Sequence, residues 1–142
     1  MRKSFFIPVI VFSVIALVNS CDLIDDVTPD NTIEGQWNCQ ESNSLKSTDA
    51  EDRYTIYISP DSNDSTKFYI SNFYHLGNDV EATAKLNGMT LTLPKQSLEG
   101  GYTINSGTGK ISSNYKQITW TYAVDDGSGD ADNATATYSK VY

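Results

Sequence analysis

One histidine and two cysteines in 142 residues leave little for the chemistry those side chains carry. Metal sites draw several such ligands together, and His75 has no second histidine and no convincing cysteine partner. No glycine-rich loop precedes a helical pattern, so the usual phosphate cradle is missing. Carboxylates are plentiful, but mostly in loops, where solvation accounts for them. The chain is therefore read as a non-enzyme with no metal and no cofactor. Positive charge is scarce as well. Ten Lys and Arg stand against 18 Asp and Glu, for a net charge of −8. A surface this acidic repels nucleic acid and anionic headgroups, which argues against nucleic acid as a partner. Long apolar runs are also few. The one at the front, residues 5–18, falls short of the ~20 residues that span a bilayer.

What is present begins with that run. Arg2 and Lys3 precede it, and a basic start before a short apolar stretch fits a secretory signal over residues 1–20. Residues 1–20 hold no acid, so removing them with Arg2 and Lys3 takes the charge from −8 to −10. Val18-Asn19-Ser20-Cys21 resembles the lipobox of bacterial lipoproteins, where a small residue precedes the cysteine that receives the lipid. The resemblance implies that Cys21 is the first mature residue. Its sulfur would carry a diacylglyceryl group and its amine a palmitate-type acyl chain. Two or more chains anchor stably, so this lipid would hold the protein to the outer membrane, on its periplasmic or its outer side. Asp22, Asp25 and Asp26 resemble the surface-export signal of some Gram-negative lipoproteins, and they equally suit a solvated tether. Residues 21–32 read as lipidated tether and linker, broken at Pro29. A disulfide between Cys21 and Cys39 is the other use of the two thiols.

From Ile33 onward apolar and polar residues alternate, the mark of strands with one buried face. Gly35, Trp37 and Cys39 share a face of the first strand. Tyr54, Ile56 and Ile58 follow, then Phe68, Ile70 and Asn72, with Tyr69 and Phe73 on the opposite side. Val80, Ala82, Ala84 and Leu86 lead to Asn87-Gly88, a two-residue hairpin signal. Met89, Leu91 and Leu93 return before Pro94. Gly100 to Ile104 starts another strand, and Gly107 and Gly109 allow a bulge or bend in it. Ile118, Trp120, Tyr122 and Val124 mark the plainest strand. Residues 125–133 read as an acidic loop before Ala134, Ala136, Tyr138 and Lys140. In the polar connection 42–51, Thr48 and Glu51 have capping-box spacing. The pattern gives an all-β chain of about eight strands, an antiparallel barrel or sandwich over residues 33–142.

In an up-and-down barrel with an even strand number, the last strand lies beside the first. Lys140 then crosses the Trp37 ring, and Gly35 leaves room at the floor. A Gly-x-Trp on the first strand with a basic residue late in the last resembles the lipocalin and calycin families. Gly107 to Ser112, Ile118 to Tyr122 and the closing Ala136 to Lys140 are similar to lipocalin-like domains of small bacterial lipoproteins. The resemblance implies a lipocalin-like barrel with Gly35, Trp37 and Lys140 as its structural set and a small apolar or aromatic ligand inside. An eight-stranded interior is filled by side chains or holds one small ligand. Tyr54, Asn72, Tyr102, Trp120 and Tyr122 are the candidate ligand-binding residues. The other reading is a filled barrel that docks a protein partner through Tyr57, Tyr69 and Phe73. Asp126, Ser128, Asp130 and Asp132 alternate like part of a calcium loop, or form a solvated hairpin tip.

Overall fold

The computed structural model describes residues 31–43 and 52–142. Cys21, the signal segment, most of the tether and the Thr48–Glu51 capping box lie outside them. Nine strands follow one another: β1 (Gly35–Asn43), β2 (Asp52–Pro60), β3 (Lys67–Ser71), β4 (Glu81–Asn87), β5 (Thr90–Leu93), β6 (Gln96–Ser97), β7 (Thr103–Ile111), β8 (Gln117–Asp125) and β9 (Ala131–Lys140). All pairings are antiparallel. β1 to β5 pair in sequence, β5 pairs β7, β7 to β9 continue, and β9 returns to β1. The sheet thus closes as an up-and-down barrel of eight strands, with β6 as a short extra.

β6 and β5 both pair with β7, so they act as two halves of one strand broken at Pro94. Beyond that break β4 and β5 no longer pair. The side-chain amide of Gln96 takes over, accepting from Thr83 N at 2.7 Å and donating to Thr83 O at 2.8 Å.

Period-two alternation puts one face of each strand inside. Trp37, Ile56, Ile70, Ala82, Leu91, Ile104, Trp120 and Tyr138 are all buried, and they form one core. Full burial of such a side chain contributes about 1.5–3 kcal/mol. At the floor Trp37 and Lys140 are direct cross-strand partners. The Lys140 ammonium lies 5.7 Å from the centre of the Trp37 ring and donates to Thr32 O at 2.6 Å. The indole N–H of Trp37 donates to Ile33 O at 3.0 Å. A cation over an indole is worth ~0.5–2 kcal/mol. Gly35 serves this floor for a different reason than crowding. A Cβ there would meet only Lys140 Cε, at an ordinary 3.9 Å, but the backbone sits at φ +118°, which side chains rarely adopt.

Three sequence expectations are corrected. Phe73 leaves the sheet. It sits in a 3-10 turn, Phe73–His75, and is fully buried instead of facing outward. The irregularity in β7 falls between Ile104 and Ser106, not at the glycines. Gly107 and Gly109 instead make room for neighbours, since a Cβ would come within 2.6 Å of Leu93 at the first and 2.8 Å of the Trp120 ring at the second. The acidic loop is shorter than expected, because β9 already begins at Ala131 and Asp132 is a buried strand residue.

Candidate functional site

Two regions concentrate chemistry, and the barrel wall sets both. The first is the end opposite Trp37. Six residues along β1 from Gly35, the inward parity of Trp37 brings Glu41 into the interior, where it is 1% exposed. Its Oε2 accepts from the hydroxyls of Tyr54 and Tyr122, both at 2.5 Å. Both lie at the short end of the O–H···O range. The Tyr54 ring stacks on His75, 4.6 Å between centroids and 3° between planes. His75 Nδ1 lies 3.0 Å from Asp52 Oδ2.

The β3–β4 connection covers this end. Asn72, Tyr74 and His75 all hold positive φ, near 55–59°. Such backbone costs about 1–3 kcal/mol per residue and persists where the surroundings over-determine it. The Asn72 side chain supplies part of that determination. Its amide donates to Thr55 O at 2.8 Å and its carbonyl accepts from Gly77 N at 2.9 Å. Phe73 fills the mouth, 5.0 Å from the Tyr122 ring. Tyr74 donates to Asp132 Oδ2 at 2.7 Å, with Tyr102 6.1 Å away across the rim.

Electrostatics keep these phenols as donors. Burial first, then the neighbouring phenols Tyr138 and Tyr122, pushes the Tyr54 hydroxyl far above its ordinary value. Burial does the same to Tyr122 and Tyr138. For Tyr74, burial and the bond to Asp132 raise it. Below Glu41, burial lifts the Cys39 thiol from an ordinary 9.0 to about 12, partly offset by its hydrogen bond with Tyr54. The thiolate is the nucleophile, so native Cys39 should resist iodoacetamide at pH 8 and react fully in urea. A raised folded pKa means that the unfolded chain loses its proton first. This contribution is intact below pH 9 and is lost as pH rises through about 12. Unfolding monitored by tryptophan fluorescence across that window checks the sign.

The structure thus places Tyr54 and Tyr122 together on Glu41, Asn72 in the roof and Tyr102 at the rim. Trp120 lies deeper, fully buried against Gly109. Tyr57, Tyr69 and Phe73 do not form one outer patch. Tyr57 is 48% exposed and Phe73 is buried. Tyr69 is half-buried and donates to Asp61 Oδ2 at 2.5 Å. The calcium-loop pattern also breaks up. Asp132 turns inward to Tyr74, while Asp125 and Asp126 accept from loop amides of Gly127, Gly129 and Ser128. Among the described residues no group of three or more His, Cys, Asp or Glu is placed to hold a metal ion. Glu41 and Tyr74 lie outside the candidate set, and Asp132, expected in a calcium-type loop, accepts from Tyr74 instead. Parity from Trp37 was the signal that could have found Glu41.

The second region is the outer wall. Three rows in register cross β8, β9 and β1: Gln117–Ser139–Asn38, Thr119–Thr137–Gln40 and Thr121–Thr135–Ser42. Every position is an uncharged hydroxyl or carboxamide, on a chain of net charge −8. The third row runs on through Thr108 of β7 to Thr92 of β5, giving hydroxyls on five neighbouring strands. On the other side β2 adds Arg53, Thr55 and Tyr57, opposite Gln40, Asn38 and Gln36. Two open concavities of about 470 and 340 Å³ lie on this wall and share Gln40 and Thr137.

Among protein-family models none matches this chain, and no curated protein matches it by sequence.

Proposed function

We propose that this is a lipid-anchored, lipocalin-like barrel protein of a bacterial envelope, and that it binds at its surface because its interior is a packed core. The single observation that carries the reading is that Tyr54, Tyr122 and Trp120 are held by contacts inside the barrel, although the buried Trp120 indole N–H and Tyr138 hydroxyl have no hydrogen-bond partner. Tyr54 and Tyr122 hold Glu41, and Trp120 fills the space over Gly109. Such contacts would have to break before an apolar guest could enter. The anchor rests on Cys21 and the residues before it.

Two experiments test this. Palmitate and 1-anilinonaphthalene-8-sulfonate should show no saturable binding to the full-length protein. Trp120→Ala, which empties a space inside, should gain affinity for small apolar molecules such as benzene, as dry engineered cavities do. Saturable palmitate binding by the unaltered protein would overturn the packed-core reading. Separately, mass spectrometry of membrane-expressed protein should find an acylated Cys21 at the N-terminus. An unmodified Cys21 on a chain that keeps residues 1–20 would overturn the anchor.

One observation favours a second reading, a small ligand at the tyrosine-rimmed end. The consecutive strained residues Tyr74 and His75 lie across it, and strained backbone gathers at ligand clamps and switches. That reading predicts that a ligand shifts the amide signals of residues 72–77 and leaves the outer wall unchanged.

A further inference from the structure

We infer that the β8–β9–β1 wall, with Tyr57 at its border, is a binding surface for a neutral oligosaccharide chain. The inference rests on the surface-binding reading above and names the partner.

An acidic polymer would be repelled by a chain of net charge −8. A basic partner needs carboxylates, and the three rows contain none. What remains is a neutral polar set of rows, with the charged Arg53 at their β2 edge. Hydroxyls and carboxamides both donate and accept, as sugar hydroxyls do, so a lattice of Thr, Ser, Asn and Gln can pair with a sugar chain in either sense. Neighbouring strands stand ~4.8 Å apart, comparable to the length of one pyranose ring. The rows across the wall thus repeat at the scale of the polymer itself.

The two concavities share Gln40 and Thr137, and their linings together reach from Thr119 on β8 to Arg53 and Thr55 on β2, with Tyr57 outside both. Open concavities suit an extended chain better than a compact molecule. Tyr57 borders them. It stands on the same face, two residues beyond Thr55, is 48% exposed, and pairs with Gln36, whose carbonyl accepts from Val141 N at 2.9 Å. An aromatic ring with a polar tip offers its face to the C–H side of a sugar while its hydroxyl stays wet. A protein-docking surface would instead carry an apolar centre of aromatic and Met side chains, which this wall lacks.

The test titrates full-length protein with maltoheptaose, cellohexaose and mannohexaose, with hexagalacturonate as the charged control. Binding is followed by calorimetry and by amide NMR shifts. At least one neutral chain should bind, with shifts confined to β8, β9, β1 and the Tyr57 end of β2. Thr137→Glu and Tyr57→Ala should each weaken binding about tenfold without moving the melting temperature. Gln40→Asn, which keeps the carboxamide, should weaken it less than Thr137→Glu does. The proposal is overturned if none of the three neutral chains binds, if hexagalacturonate binds as well, if the shifts fall at residues 72–77, or if this wall is shown to dock a protein. Those failures leave the palmitate experiment untouched. Palmitate uptake would bring down the packed-core reading on its own.

Discussion

Trp120→Ala is expected to cost about 3–5 kcal/mol, the range for removing a large buried aromatic. Trp120 is fully buried, and its ring lies 5.7 Å from Tyr138. It is also the reason β7 carries a glycine at 109, since a Cβ there would sit 2.8 Å from two atoms of the indole. Gly109→Ala should therefore cost about 1–3 kcal/mol by overpacking. The two effects share one volume, so they should not add. In a Trp120→Ala background the Gly109→Ala change should cost far less than it does alone. A double-mutant cycle by urea unfolding measures that coupling. Simple additivity would mean that the ring does not rest on Gly109.

The second large effect concerns Glu41. Tyr54→Phe and Tyr122→Phe each remove a hydroxyl that donates to its carboxylate at 2.5 Å. A typical hydrogen bond contributes about 0.5–1.5 kcal/mol. The double variant should be less stable than either single one, because it takes both hydroxyls from a buried side chain and an unsatisfied buried polar group costs about 1–3 kcal/mol. Glu41→Gln in the wild-type background should be milder than the double variant, since the amide still accepts through its oxygen. Urea midpoints of the four proteins decide this. The prediction fails if the double Phe variant is no less stable than either single one.

Much of the fold was readable in the residues, for physical reasons. A closed antiparallel barrel buries one face of each strand, so alternation survives along most of its length. That made Ile118 to Val124 plain and let the first and last strands be paired. Their pairing placed Lys140 over Trp37, where it is found. The misses follow local backbone events that alternation does not record. Phe73 continues the odd–even pattern of β3, yet the chain has already left the sheet through positive φ at Asn72 and Tyr74. Asn enters this region more often than most residues, but Tyr74 carries no such signal. Gly107 and Gly109 looked like bend points, but they are flat landing places for Leu93 and Trp120. Asp132 sat in a run of acids and glycines and was read with the loop, although its partner Tyr74 is 58 residues away in sequence. The candidate site was less legible than the wall that holds it. Tyr54 and Tyr122 were named, but Glu41, the group that unites them, was not.

β9 lies between β8 and β1 and joins them. A nascent chain that stops before Ala131 therefore has two raw edges, each offering unpaired backbone groups to any other strand. The final ten-residue strand is the zip. Nothing earlier can substitute for it, and closure waits for contacts between the two ends of the domain, which are slow to form. Until β9 is in place both edges stay open, and pairing with other chains competes with closure.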